Sequence, residues 1–269
     1  MGMHKSLKLI VVMLALLVGG PNSHAAPTTS NLDREKYWAN QIVDTVVVGE
    51  PVWLKNRGRK FLALHAAPAQ LSLTAIILLH GRGVHPAWGL IEKLYRDLSE
   101  SGYYTLSLQV PILGNEANYS AYGATFPEAL ERIDVGVAYL RQRHPHIRRF
   151  ILIGHSSGAN IALARLAKRD RSGIAGAVAI SFITLANGPD VMQPAFMLKT
   201  TQAPLLDIYG GNDLSEVTAN AAERRVAAEQ AGNRHFRQRR VPDANHFFSD
   251  HYPDLLKAIQ DWLGTPGKP

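Results

Sequence analysis

Between Phe150 and Ala167 the chain reads as strand, sharp turn and helix, with a serine at the turn. Four apolar residues, Phe150-Ile151-Leu152-Ile153, match a strand buried on both faces. Gly154-His155-Ser156-Ser157-Gly158 follows. Ala159, Ala162, Leu163, Leu166 and Ala167 then recur at helical spacing, with Arg165, Lys168 and Arg169 opposite them. A G-x-S-x-G turn in this context lifts the serine hydroxyl to the end of a sheet, where a base and a substrate can both reach it. The flanking glycines leave room where bulkier residues would strike neighbouring backbone. The same five residues as a plain Gly/Ser linker is the competing reading, and the flanking strand and helix argue against it.

Elsewhere the pattern alternates. Thr45–Leu54 and Phe61–Ala66 read as two early strands around a basic turn, Asn56-Arg57-Gly58. Ala75–Leu79 is a buried-type strand, and Leu90, Ile91, Leu94 and Leu98 mark a helix that ends at Gly102. Tyr104–Leu108 is the next strand, and Thr125-Phe126-Pro127-Glu128 has capping-box spacing ahead of a helix. Ile174–Ile180, Leu205–Tyr209 and Phe236–Val241 read as further strands, with helices over 215–231 and 255–263. Such alternation predicts an α/β fold with a mostly parallel central sheet, helices on both faces, and little or no cap, since no long insertion separates the strands. Ligands of such sheets bind beyond the carboxyl ends of the strands.

The ends of the chain bound its organisation. Lys5 and Lys8 precede an apolar run, Leu9–Val18, and Ser23-His24-Ala25 places small residues at the −3 and −1 positions of a cleavage site. Residues 1–25 therefore read as a secretory signal peptide cut after Ala25, with an uncleaved anchor as the alternative. The run is short for a membrane span, so no transmembrane segment is expected in the mature protein. Residues 26–44 read as a loosely ordered segment and 45–264 as one domain. Export to a periplasm or beyond the cell follows, yet there is no cysteine, so the fold must stand on its core. The formal charge is +7, spread over clusters such as Arg57-Arg59-Lys60 and Arg234–Arg240. These read as solvated edges, with anionic envelope polymers or lipids as the alternative; no nucleic-acid motif accompanies them. The histidines lack metal-ligand spacing, and no phosphate loop or dinucleotide fingerprint is present, so neither metal nor cofactor is expected.

A serine hydroxyl needs a base to take its proton and a carboxylate to orient that base. The loop after Tyr209 reads Gly210-Gly211-Asn212-Asp213, and the loop after Val241 reads Pro242-Asp243-Ala244-Asn245-His246. Asp213, beyond a Gly-Gly turn, is free to meet His246. Asp207 is the rival, but it lies within a strand, where a carboxylate is costly unless paired. Among the other histidines, His155 belongs to the turn and should point away from Ser156. His80 should support the loop it begins, His144 and His146 sit in a basic helix end, and His85 and His251 read as surface or loop residues. The loop His80-Gly81-Arg82-Gly83 follows the Ala75–Leu79 strand. Its glycines admit close backbone approach, so the amides of Arg82 and Ser157 are the expected oxyanion donors. Tyr119, Tyr122, Phe182 and Phe196 offer pocket walls, or loop-to-core packing instead.

Together these residues resemble the α/β-hydrolase superfamily over about Ala75 to Leu263, with the chain order Ser156, Asp213, His246. The resemblance implies Ser156 as nucleophile, Asp213 as acid, His246 as base, and Arg82 and Ser157 as oxyanion donors. More narrowly, His80-Gly81-Arg82-Gly83-Val84-His85-Pro86, Thr105–Gln109, Phe126–Ala129 and Gly154–Ala159 resemble a group of exported bacterial α/β hydrolases of unassigned function. The chain is also similar to capless esterases and to dienelactone hydrolases, although the catalytic cysteine of the latter is absent. The implied activity is hydrolysis of a small carboxylic ester through an acyl-enzyme, with thioesters and amides less favoured. The Arg82 side chain suggests contact with an anionic group. The alternative is a catalytically silent protein of this fold that binds in the envelope.

Overall fold

The protein is described by a computed structural model covering residues 28–185 and 188–264. The expected signal peptide lies outside these residues. In chain order the elements are α1 (Leu32–Ile42), β1 (Glu50–Asn56), β2 (Arg59–Ala66), β3 (Thr74–Leu79), α2 (Gly89–Glu100), β4 (Tyr104–Leu108), α3 (Phe126–Arg143), β5 (Arg149–His155) and α4 (Ser157–Leu166). There follow β6 (Ile174–Ile180), α5 (Pro194–Leu198), β7 (Leu205–Gly210), α6 (Ser215–Thr218), α7 (Ala221–Gln230), β8 (Phe236–Val241) and α8 (Tyr252–Leu263). The eight strands form one sheet in the order β1-β2-β4-β3-β5-β6-β7-β8. Pairing is antiparallel where β2 meets β1 and β4, and parallel elsewhere.

The sheet is buried because its strands are apolar at successive positions. Ala75, Ile77 and Leu79 of β3, with Phe150 and Leu152 of β5, pack beneath α3, α4, α5 and α7. Ile76 and Leu78 of β3, with Ile151 and Ile153 of β5, pack on the other face beneath α1, α2 and α8. Period-two side-chain alternation thus sends a continuous apolar run into two cores. The central strand β5 lies between β3 and β6, so its carboxyl end opens in the middle of the sheet.

Three local expectations are corrected. The segment expected to be loosely ordered contains α1, capped by the Asn31 side chain, which accepts from the Arg34 amide. It is held by buried charge: Arg132 bridges Glu35 and Glu128 at 2.8 Å each. Thr28 and Thr29 add hydrogen bonds to Glu128. Thr125 does not form a capping box; its hydroxyl donates to the Tyr122 carbonyl, while Glu128 is committed to Arg132 and the N-terminal segment. The single helix expected over 215–231 is divided into α6 and α7. Arg224 turns inward and its Nη1 donates to the Val217 carbonyl at 2.8 Å, an acceptor that an unbroken helix would use for its own amides.

Candidate active site

Ser156 sits at the carboxyl end of β5 with φ 57° and ψ −121°, a conformation that points its side chain out of the strand-to-helix corner. The corner closes so tightly that only glycine fits on either side. A Cβ at Gly154 would lie 2.1 Å from the Gly158 carbonyl oxygen, and one at Gly158 would lie 2.2 Å from the Leu79 carbonyl oxygen. The second contact shows why β3 and the elbow lie so near each other. It brings the loop after β3 beside Ser156: a Cβ at Gly81 would stand 3.5 Å from the Ser156 Cβ.

The loops after β7 and β8 supply a carboxylate and an imidazole. His246 Nδ1 lies 2.6 Å from Asp213 Oδ1. Asp213 is fully buried at its side chain and its oxygens are well supplied with donors. Oδ1 also accepts from the Leu214 amide at 2.8 Å, and Oδ2 accepts from the Ser181 hydroxyl at 2.5 Å and the Gly210 amide at 3.3 Å. Burial pushes this carboxyl up, but the bonds from His246 and Ser181, with the His246 ring nearby, outweigh it and hold the group below the ordinary carboxylate range. Asp213 is thus an ionised acceptor that fixes His246 with Nδ1 protonated, leaving Nε2 free to take a proton. Asp207, the rival carboxylate, is wholly buried and spoken for. It accepts from Arg224 Nε at 2.8 Å and from Gln238 Nε2 at 2.8 Å.

Ser156 and His246 line one cavity of about 430 Å³, with Gly81 and Arg82 on its wall. Val84, Trp88, Leu90, Ile91, Leu214 and Phe247 make the rest of that wall largely apolar. Tyr119 also lines it, whereas Tyr122 and Phe182 pack into the core and Phe196 stands exposed away from it. Arg82 reaches the rim, its guanidinium 5.8 Å from the Tyr119 ring centroid. Among the described residues, the backbone amides of Arg82 and Ser157 have no protein acceptor. Two unoccupied donors beside a serine are what a developing oxyanion requires.

The other histidines are sorted by their partners. His80 is buried; its Nδ1 donates to the Gly81 carbonyl at 2.8 Å and its Nε2 accepts from the Val110 amide at 3.1 Å. Burial lowers its pKa to about 3, so it stays neutral. His155 does not turn away from the site. It shares the cavity wall and donates from Nε2 to the His246 carbonyl at 2.8 Å, so it positions the base-bearing loop. Burial, then the neighbouring His246, lowers it to about 4. His85, expected at the surface, is buried against Trp38 and Trp88. His144 contacts His65, His146 the Tyr104 hydroxyl, and His251 Asp254, all outside the cavity. Sequence reasoning missed Ser181; its one signal was position, directly after β6 at a strand end already marked for ligands.

Among the described residues no group of three or more His, Cys, Asp or Glu side chains could hold a metal ion, and no helix is long and apolar enough to cross a membrane. A family model described as a protein of unknown function, DUF3530, matches residues 120–265, a stretch that includes Ser156, Asp213 and His246 but not the His80–Gly83 loop. No curated protein matches the sequence. Solved structures do match. Est1E from Butyrivibrio proteoclasticus is 16% identical, with 79% of this chain and 97% of that chain covered and a TM-score of 0.60. Est1E is also solved with ferulic acid bound. The esterase Pf2001 from Pyrococcus furiosus is 18% identical, covering 80% and 88% at a TM-score of 0.64. A dienelactone hydrolase from Anabaena variabilis is 21% identical, covering 79% and 95% at a TM-score of 0.60. The sheet order and these likenesses establish the α/β-hydrolase fold.

Proposed function

The chain belongs to the DUF3530 family, and from that premise we propose that it is an exported serine hydrolase acting on small carboxylic esters. The observation that carries the reading is the Asp213–His246 hydrogen bond at 2.6 Å, with His246 and Ser156 on the wall of one cavity. His246 Nε2 takes the Ser156 proton as Oγ attacks the ester carbonyl. The imidazolium that forms is stabilised by ionised Asp213 through Nδ1–H. The carbonyl oxygen, now negative, is received by the Ser157 and Arg82 amides, donors each worth about 3 kcal/mol to a transition state. His246 returns the proton to the departing alcohol. Water then enters, loses its proton to His246 and attacks the acyl carbonyl; as the acid leaves, His246 gives that proton to Ser156 Oγ and the free serine is restored.

The largely apolar wall favours uncharged alkyl or aryl groups next to the ester. The exposed guanidinium of Arg82 at the rim suits an anionic group farther out. Ferulic acid in Est1E makes aryl acyl esters a sensible part of any panel. Export rests on the basic, apolar and small-residue pattern of residues 1–25, with a periplasmic or secreted destination.

Hydrolysis of a panel of nitrophenyl esters, from acetate to long acyl chains and including esters with a second carboxylate, tests the reading. Wild type should turn over the short and medium esters, and Ser156→Ala should lose at least about 10³-fold in kcat/KM. Arg82→Ala should lose preference for the acidic esters while keeping the neutral ones. A folded wild type with no ester turnover would instead support a silent binding protein of this fold.

A further inference from the structure

The loop that carries the Arg82 amide is held from an unexpected direction, the N-terminal segment. Arg34, half-buried on α1, reaches across with two prongs. Its Nη2 donates to the Gly83 carbonyl at 2.8 Å and its Nη1 to the Leu113 carbonyl at 2.6 Å. Its neighbour Glu35 begins a second route. Glu35 Oε1 receives Arg132 Nη1 at 2.8 Å, and the same Nη1 donates to the Gln109 carbonyl at 3.0 Å. The Gln109 side-chain amide donates to His80 Nε2 at 3.0 Å, and His80 Nδ1 donates to the Gly81 carbonyl at 2.8 Å. Glu35 and Arg132 are both buried, so these links are shielded from solvent.

The geometry of a trans peptide makes this consequential. The Gly81 carbonyl and the Arg82 N–H belong to one peptide plane and point in opposite directions. A donor fixed on that carbonyl therefore fixes the direction of the Arg82 N–H. The Gly83 carbonyl, gripped by Arg34, belongs to the next peptide but one, Gly83–Val84, so Arg34 anchors the far end of the same short loop. Glycines at 81 and 83 leave this loop little side-chain packing of its own, and Gly83 has φ 71°. Oxyanion donors act only if they are already aimed when charge develops.

We infer that the N-terminal segment through α1 is a strut for the oxyanion loop, and that Arg34 is a positioning residue for the Arg82 amide. The inference rests on the serine-hydrolase reading above. Arg34 touches no reacting atom. It acts through Gly83, while Glu35 acts through Arg132, Gln109 and His80.

The test uses the full chain with Arg34→Ala, Arg34→Lys and, as a control on the same helix, Lys36→Ala. For each, kcat and KM on a neutral ester are measured beside the melting temperature and hydrogen exchange of the peptide spanning Gly81 to Val84. Arg34→Ala should lose about ten- to hundred-fold in kcat with KM changed by less than about two-fold. Exchange at residues 81–84 should quicken. Arg34→Lys should recover part of both, and Lys36→Ala should match wild type. A folded Arg34→Ala with wild-type kcat, whatever its melting temperature, would overturn the strut. Should Arg34→Ala not fold, Arg34→Met, which keeps the apolar stem and removes both donors, takes its place, and wild-type kcat and exchange in that variant would overturn the strut equally. A wild type without Ser156-dependent turnover would defeat the underlying reading and the strut with it, an outcome distinct from an active wild type indifferent to Arg34.

Discussion

Ser181 shows what one hydroxyl contributes beyond the three residues read from the sequence. Asp213 divides its labour: Oδ1 serves His246 and the Leu214 amide, and Oδ2 is satisfied by Ser181 at 2.5 Å and a longer bond from Gly210. Removing the Ser181 hydroxyl leaves a buried carboxylate oxygen under-supplied, a loss of about 1–3 kcal/mol for such a group. Ser181→Ala is therefore expected to lower kcat/KM on esters by about ten-fold or more, with the fold retained. A steady-state comparison checks it, and an unchanged kcat/KM would mean that His246 and the backbone amides suffice. That Asp213 would meet His246, and His246 share a cavity with Ser156, was legible because the types and strand-end positions of these residues fit one chemistry. Asp207 could be set aside for a physical reason that the structure bears out: within a strand it needed a partner, and Arg224 is that partner. Ser181 was not legible because a lone serine after a strand has no pattern of its own. His155 departs from expectation for a related reason. The turn fixes its backbone, but the destination of its ring depends on the β8 loop, which is distant in sequence.

At the scale of elements, the sheet was readable and the N-terminal helix was not. Strands such as β3 and β5 announce themselves by unbroken apolar runs, since both faces are covered. Helix α1 buries only Glu35, Ala39 and Ile42, and its sequence is polar on average, so the short apolar stripe was passed over. Its docking is carried by Arg132, which lies 97 residues beyond Glu35 in the chain. Ion pairs of that range leave no periodic trace. The Thr125–Glu128 spacing misled for the same reason: Glu128 is diverted to Arg132 and the threonines at 28 and 29. Local rules fail here where a long-range charge takes the group they depend on.

The whole molecule has no disulfide and keeps several histidines buried and neutral. Burial lowers His80 to about 3, and lowers His85 and His155 to about 4. Each binds its proton more readily unfolded, near the ordinary 6.5, than folded. Their contribution to stability is therefore full above about pH 6.5 and is lost as pH falls toward 4, by on the order of 1.4 kcal/mol per pH unit for each fully buried ring and less for the partly buried His85. Asp213, held low, adds to the same loss below the ordinary carboxylate pKa. The melting temperature should thus be flat from pH 8 to 7 and fall steeply between 6 and 4. A thermal melt series checks it, and a melting temperature constant to pH 4.5 would contradict the buried neutral state of these rings. The order of strands in the sheet belongs to this scale too. Alternation implied a parallel sheet, but which strand lies beside which is set by packing between distant segments and was not in the pattern.

The central claim is that Ser156 is a nucleophile activated by His246 and Asp213. A fluorophosphonate probe reports this without knowledge of the substrate, because it captures a serine only when a base has taken its proton. Wild type should be labelled at Ser156, located by mass spectrometry of the Gly154–Gly158 peptide, and His246→Ala should be labelled far more slowly. Folded wild type that stays unlabelled, or labelling that persists in Ser156→Ala, would contradict the account.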